Sequence, residues 1–187
     1  MKKFVLAMFA LMLMAGVANA NVIGVFADMD ATTCEIAVIP YAPVDLFILA
    51  VLDNVPAITA AEFGADNMPE NLGYPNGTVT ITWSTGLVIG NIYEGVALAW
   101  DAAQVGPIVL LGNVNVLDFG GFAFDNHATC IVGSPSNPDY TVPVIVDEEY
   151  VVHEATGWCF VFNCVGDCDC MSIPVEDTDF SSIKALY

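Results

Sequence analysis

The chain has 187 residues, of which 56% are hydrophobic, and 22 Asp and Glu residues outnumber three Lys and Arg residues. Enough apolar surface is present to offset the ordering entropy of folding, which excludes an intrinsically disordered chain. The net charge of −19 leaves almost nothing to neutralise phosphates, so nucleic acids and anionic membranes are excluded as partners. The length suits one domain with a sizeable core.

The first twenty residues have the pattern of a secretory signal peptide. Lys2 and Lys3 precede an apolar run from Phe4 to Met14, and a small-residue stretch ends at Ala20. This pattern predicts cleavage before Asn21. The run is also shorter than the roughly 20 apolar residues of a membrane span. We therefore expect a secreted or extracytoplasmic protein, in the periplasm or at the cell surface, without a membrane span after cleavage.

Short β-type segments separated by turn residues follow the cleavage site. The run from Val44 to Leu52 is almost continuously apolar, which is typical of a strand buried on both faces. The segment from Thr78 to Trp83 alternates between polar and apolar residues, which predicts one wet face and one dry face. The other predicted strands are Val22–Ala27, Ile58–Ala65, Leu87–Ile89, Val96–Trp100, Ile108–Leu117, Phe122–Phe124, Thr129–Val132, Val142–Val146, Tyr150–His153 and Cys159–Phe162.

No segment after the signal shows sustained helical periodicity, so the sequence predicts an all-β fold. Many short strands with Gly, Pro and Asn turns favour a two-sheet β-sandwich of about eight to ten strands, after an N-terminal signal helix. The predicted organisation is a signal peptide at 1–20, a β-sandwich domain at 21–163 and a Cys-containing acidic tail at 164–187.

Six cysteines follow the signal, and an even number in an exported protein indicates disulfides. The interpretation we favour pairs Cys34 with Cys130 across the body and leaves the last four cysteines to staple the tail. Closing that long loop would stabilise the fold by roughly 3 to 5 kcal/mol. A metal cluster completed by His127 or His153 is the alternative, but the spacing is not that of a zinc ribbon. The cysteines expected in disulfides are Cys34, Cys130, Cys159, Cys164, Cys168 and Cys170.

Alternating carboxylates occur at two places in the chain. Asp28 and Asp30 follow the first predicted strand, and Asp167 and Asp169 lie between cysteines. Carboxylate oxygens on a loop suit Ca²⁺, so Asp28 and Asp30 are candidate Ca²⁺ ligands, and no other cofactor is expected. Neither stretch completes an EF-hand, and a solvated turn with local hydrogen bonds is the favoured interpretation.

The sequence does not predict an enzyme. His127 and His153 have neither a nucleophile elbow nor a metalloprotease helix beside them. Glu148, Glu149 and Glu154 are the carboxylates that a glycoside hydrolase would use, and this is the least favoured hypothesis.

Three tryptophans are the candidates for stacking on a sugar. Trp83, Trp100 and Trp158 each lie in or beside a predicted strand, where packing in the core is the default. A glycan-binding face would require two or three of them aligned and exposed on one sheet.

The C-terminal segment from Cys168 to Tyr187 resembles an ending shared by exported proteins of environmental bacteria that have no assigned activity. In those proteins Thr-Thr-Trp-Gly often precedes Ile-Lys-x-Leu-Tyr, whereas here Asp179 to Ser182 stands at that place. The segment from Gly24 to Asp28, at the end of the first predicted strand, is similar to the same group. The strand from Ile58 to Phe63 also resembles those of cohesin-like and immunoglobulin-like sandwiches. The resemblance implies export and a sandwich fold, and it implies no chemistry.

These observations predict a non-catalytic structural or adhesive module at the cell surface or outside the cell. The alternative is a β-sandwich module that binds a glycan or Ca²⁺, on the basis of Trp83, Trp100 and the excess of carboxylates. The expected partners are a surface protein or a glycan.

Overall fold

The computed structural model describes residues 21–70, 72–73, 75–121 and 125–165. The predicted signal peptide, Cys168, Cys170 and the predicted strand Phe122–Phe124 lie outside the described residues. The described part of the chain forms twelve strands, compared with the eight to ten predicted, and no helix. In chain order these are β1 (Asn21–Phe26), β2 (Glu35–Ile36), β3 (Pro43–Val51), β4 (Ala57–Asp66), β5 (Gly77–Trp83), β6 (Leu87–Asn91), β7 (Gly95–Val105), β8 (Ile108–Asp118), β9 (His127–Val132), β10 (Val144–Val146), β11 (Val152–Gly157) and β12 (Cys159–Phe162).

The strands form two layers that are joined along one side. The first layer contains β5, β8, β3 and β1, and the second contains β6, β7, β4, β9, β12 and β2, each in order of pairing. β10 also pairs with β4, and β11 pairs with both β10 and β1, so β11 links the two layers. A strand that changes sheets in this way forms a corner of a sandwich. The all-β, two-sheet sandwich predicted from the sequence is therefore the fold.

Apolar side chains from both layers fill the space between them. Leu46 of β3 and Leu111 of β8 are buried on one side, and Phe63 of β4 and Phe160 of β12 on the other. The ring of Phe63 meets the ring of Trp83 edge-on at a centroid distance of 6.1 Å, which joins β4 to β5 across the core. Each large apolar side chain buried here contributes about 1.5 to 3 kcal/mol.

Within the described ranges no helix has the length and apolarity needed to cross a membrane.

β3 is buried on both faces only in its second half. Ile48, Leu49 and Ala50 are fully buried, as the apolar run predicts. In the first half Asp45 is exposed, and its carboxylate accepts a hydrogen bond of 2.8 Å from Nδ2 of Asn115 on β8. The outer face of this end of β3 is therefore solvated, and only its inner face packs in the core.

A β-bulge in β8 keeps the apolar residues of that strand pointing inward along its whole length. The pairing of β8 with β3 shifts by one residue at Leu111. Val109 and Leu111 are buried before the shift, and Val114 and Val116 after it. An extra residue reverses the alternation of side chains, so the bulge restores the match between pattern and core.

The disulfide between Cys130 and Cys159 corrects the predicted pairing of Cys34 with Cys130. The two cysteines lie directly opposite each other in the antiparallel pair of β9 and β12, with Cα atoms 4.0 Å apart. Cys34 leads into β2, which pairs with the other edge of β12 and so lies away from β9. Cys34 and Cys164 are disulfide-bonded as well, and no described cysteine is free.

Candidate functional site

A row of apolar side chains runs across the outer face of five neighbouring strands, which are β6, β7 and β4 of the second layer and the linking strands β10 and β11. Sheet faces that meet solvent normally carry polar residues. The row joins positions that pair with one another in register from β6 to β11. Its members are Leu87, Ala99, Ala60, Val146 and Val152. Leu87 and Val152, at the two ends, are exposed.

A second row lies beside the first and adds two carboxylates. It consists of Ile89, Ala97, Glu62, Val144 and Glu154, again paired in register. Ile89 is 67% exposed. Glu62 and Glu154 stand on either side of Val144, so this part of the face combines apolar and acidic groups.

All members of the two rows except Glu154 line a shallow groove of about 230 Å³. We call this face, with Glu154 beside the groove, the groove face. Alanines of β4 and β7 form the floor of the groove. Their side chains are single methyl groups, so the surface is lower there than at the larger residues on either side. Leu87 and Ile89 of β6 stand along one side and Val152 of β11 along the other, and Tyr140 also lines the groove. Scattered exposed apolar residues are ordinary, but a contiguous apolar face marks an interaction site.

A tight hairpin holds β6 against β7 and so positions one side of the groove. Asn91 Oδ1 accepts hydrogen bonds from the amides of Tyr93 and Glu94, both at 2.9 Å. Gly90 has φ +85°, and a Cβ there would lie 2.2 Å from the carbonyl oxygen of Gly95. Only glycine fits at this position, which fixes the path of the strand that carries Leu87 and Ile89.

The turn between β10 and β11 stands next to the other side of the groove, and Asp147 organises it. Its Oδ1 accepts hydrogen bonds from the amides of Glu149 (2.9 Å) and Val151 (2.8 Å). Its Oδ2 lies 2.7 Å from Nε2 of His153, which donates because the carboxylate only accepts. The hydrogen bond from His153, followed by that from Val151, lowers the pKa of Asp147. Asp147 therefore stays ionised at neutral pH and holds the turn together.

Tyr150 lies at the tip of this turn in a backbone conformation that favours glycine. Its φ is +62°, and its side chain is 83% exposed. Three-residue hairpin loops place a left-handed residue at such a position, and Gly or Asn is the usual choice. For another residue type the conformation costs about 1 kcal/mol. The exposed ring offsets little of that cost within the isolated chain.

Asp28 and Asp30 lie in the loop after β1, away from the groove face. Oδ1 of Asp28 accepts hydrogen bonds from the amides of Asp30 and Thr32, and Oδ2 accepts one from Oγ1 of Thr32, all at 3.0 Å. Hydrogen bonds to this carboxylate, led by that from the Thr32 amide and followed by that from the Thr33 side chain, lower the pKa of Asp28 to about 2. No group of three or more His, Cys, Asp or Glu in the described part of the chain is arranged to hold a metal ion. Ca²⁺ binding by Asp28 and Asp30 stays a prediction.

The carboxylates considered for hydrolysis are not gathered in one cavity. Glu148 and Glu149 are exposed in the turn between β10 and β11, and Glu154 lies on the sheet opposite Val144. None of the three lines the groove. Among the histidines, His153 bonds to Asp147, and Nε2 of His127 lies 2.7 Å from the carbonyl oxygen of Asn67.

All three tryptophans pack against the hydrophobic core. Trp83, Trp100 and Trp158 are partly buried, as core packing predicts, and they do not line the groove. The indole N–H groups of Trp100 and Trp158 are buried and have no hydrogen-bond partner within the described ranges.

Sequence reasoning missed the groove face. A signal was present, because Leu87 and Ile89 alternate with Val88 in a strand with no charged residue. The sequence did not show that these residues share a face with Ala60 and Val152, because that depends on pairing between distant strands.

No protein-family model and no curated protein sequence matches the chain. Among solved structures the chain is similar to cohesin modules. One is a cohesin module from a Clostridium perfringens family 33 glycoside hydrolase, with TM-score 0.44 and 10% identity over 76% of this chain and 98% of that chain. Another is the sixth cohesin of Acetivibrio cellulolyticus scaffoldin B, solved with a Cel5 dockerin, with TM-score 0.43 and 11% identity over 79% of this chain and 100% of that one. At values this low, neither the partners nor the activities of those modules transfer to this chain.

Proposed function

We propose that the chain is an exported, non-catalytic module that binds a protein partner through the groove face. The observation that carries the proposal is the uninterrupted apolar row from Leu87 to Val152 across five strands. Apolar surface left in water is unfavourable, and its burial against a partner returns about 25 cal/mol per Å². Such binding supports a structural or adhesive role, and the signal-like sequence at residues 1–20 supports a place outside the cytoplasm.

Export is supported by two features of the chain. The first is the signal-like sequence that ends at Ala20. The second is the oxidised state of four described cysteines, Cys34, Cys130, Cys159 and Cys164. Cytosolic thiols are normally kept reduced, so disulfides of this number favour an oxidising compartment.

The chemistry of the groove face favours a protein over a glycan as the partner. Glycan sites offer several aromatic rings for stacking, whereas Tyr140 is the one aromatic residue among those that line this groove. The floor of the groove consists of alanine methyl groups and its β6 side of Leu87 and Ile89. The tryptophans that would suit a sugar pack against the core instead. Methyl and aliphatic groups fit the apolar side chains of a protein.

The test compares three forms of the mature protein as immobilised bait: the unaltered chain, Ile89→Lys and Ile39→Lys. Ile89 is in the groove face, and Ile39, in the loop between β2 and β3, is a matched control because it is 64% exposed. Proteins retained from the extracellular fraction of the source organism are identified, purified and titrated by calorimetry. We expect a partner whose affinity falls at least about ten-fold for Ile89→Lys and is unchanged for Ile39→Lys, which corresponds to about 1.4 kcal/mol.

Thermal unfolding of the three forms establishes that each is folded before binding is compared. Equal affinity of a retained partner for all three forms would show that binding occurs elsewhere. Failure to retain any protein specifically would also contradict the proposal.

A further inference from the structure

We infer that the segment which occupies the groove face is a basic one, with apolar residues interspersed among Lys or Arg, and that Tyr150 anchors it at one end. This inference rests on the proposed function and names the chemistry of the partner that binds the groove face. The observations behind it are the position of the turn between β10 and β11, the strained and exposed Tyr150, and the distribution of charge around the groove.

The turn that carries Tyr150 is continuous with the groove. Val146 and Val152, which flank the turn, pair with each other and both line the groove. Asp147 ties the turn down through hydrogen bonds to two amides and to His153. The amide of Tyr150 also donates to the carbonyl oxygen of Asp147 at 3.2 Å. Tyr150 is therefore held in a defined place beside the groove before any partner arrives.

A tyrosine at this position works against the stability of the isolated chain. Glycine or asparagine would adopt φ +62° with less strain, and an 83% exposed ring gains little from packing. The presence of a tyrosine at this position is explained if its ring is buried when a partner docks. Tyrosine is enriched among the residues that dominate binding energy at protein interfaces, because it combines a large apolar ring with a polar tip.

The charges around the groove select a cationic partner. Glu148 and Glu149 are the two residues before Tyr150 in the chain, and Glu62 and Glu154 stand on the groove face itself. All the Lys and Arg residues of the chain lie outside the described residues, so no positive side chain in the described part opposes these carboxylates. A Lys or Arg placed over the ring of Tyr150 would gain a cation–π contact as well as ionic attraction.

An acidic segment would be repelled by the same carboxylates. A second copy of this chain is disfavoured for the same reason, because the mature protein retains only Lys184 against 22 carboxylates. The apolar residues of a basic segment would lie on the alanine floor, and its cations would meet Glu62, Glu154 and the turn.

The probe for this inference is a short synthetic peptide that alternates lysine with valine, and the control is the same peptide with glutamate in place of lysine. Each is titrated at low ionic strength into isotope-labelled mature protein. We expect the lysine peptide to shift the amide resonances of Ala60, Ala99 and Val152, and the glutamate peptide to shift none of them. Equal binding of the two peptides, or binding of neither, would overturn the inference.

Two tyrosine variants test the anchor. Tyr150→Gly should weaken binding of the lysine peptide at least about five-fold while leaving the melting temperature equal or higher. Tyr41→Gly is the matched control, because Tyr41 has φ +69° and is 73% exposed in a distant loop, and its affinity for the peptide should not change. Tyr150→Asn, which tolerates the same backbone, should weaken binding as Tyr150→Gly does. Unchanged affinity of both Tyr150 variants for the lysine peptide would show that Tyr150 does not anchor the bound segment.

The outcome for the partner class is separable from that for the proposed function. If Ile89→Lys abolishes binding of the natural partner but the lysine peptide does not bind, the groove face is supported as the binding site. The inference that the partner is basic is then wrong. If Ile89→Lys affects neither ligand, the groove face itself is wrong.

Discussion

The carboxylate of Asp28 holds the loop between β1 and β2 in shape. Both of its oxygens accept hydrogen bonds from within the loop, and these bonds lower its pKa to about 2. Because the pKa in the folded chain is below the unfolded value of about 3.9, the bonds favour the folded state only while the group is ionised. The stabilisation is complete above about pH 4 and is lost as the pH falls towards 2.

Replacing this residue should therefore weaken the fold in a pH-dependent way. We expect Asp28→Ala to lower the free energy of unfolding by about 1 kcal/mol at pH 6, because several loop donors lose their acceptor. The difference from the unaltered chain should shrink towards zero near pH 2. Urea unfolding across this range measures it, with Asp30→Ala as the control because the side chain of Asp30 is exposed. An equal loss for both variants would mean that the loop does not depend on Asp28.

Strands with a strong local pattern could be predicted closely from the sequence. The alternation from Thr78 to Trp83 reappears as β5, and the segment from Ile58 to Ala65 lies within β4. The pattern is local because each residue's face depends only on its neighbours in the strand. β2 was missed, because Glu35 and Ile36 are too few to show a period.

Contacts between distant strands could not be predicted from the same patterns. The partner of Cys130 depends on which strand lies beside β9, and the sequence did not show that this strand carries Cys159, so Cys34 was favoured instead. The groove face was hidden for the same reason, because its residues come from five strands that pair only in the folded chain. The individual strands could be found from sequence, whereas the site needed the topology.

The disulfide between β9 and β12 should contribute strongly to stability. Its cysteines are separated by 29 residues, and closing a loop of this length reduces the entropy of the unfolded chain by an amount worth about 3 to 4 kcal/mol. We expect Cys130→Ala combined with Cys159→Ala to lower the free energy of unfolding by about that much in denaturant titrations.

Peptide mapping without reduction provides the independent check on that pairing. A proteolytic fragment that joins the segment around Cys130 to that around Cys159 is expected. A fragment that joins Cys34 to Cys130 would contradict the structure and restore the pairing favoured from the sequence.

Across the whole molecule, a large apolar core is combined with charges of one sign. His153 lies 2.7 Å from the carboxylate of Asp147, and in the described part of the chain no carboxylate has a Lys or Arg near it. Burial of the core must therefore outweigh mutual repulsion among the carboxylates. Repulsion of this kind is weakened by salt, since mobile ions screen charges that lie further apart than the Debye length.

Salt should consequently raise the stability of the folded chain. Raising NaCl from about 0.01 M to about 1 M shortens the Debye length from about 30 Å to about 3 Å, and we expect the melting temperature at neutral pH to rise by roughly 2 to 8 °C. CaCl₂ at the same ionic strength should give a similar rise, because the carboxylate of Asp28 is already occupied by donors of its own loop. An additional, saturable rise with CaCl₂ that disappears in Asp28→Ala would instead establish a Ca²⁺ site at Asp28 and Asp30. A melting temperature that falls with NaCl would show that carboxylate repulsion does not limit the stability of this fold.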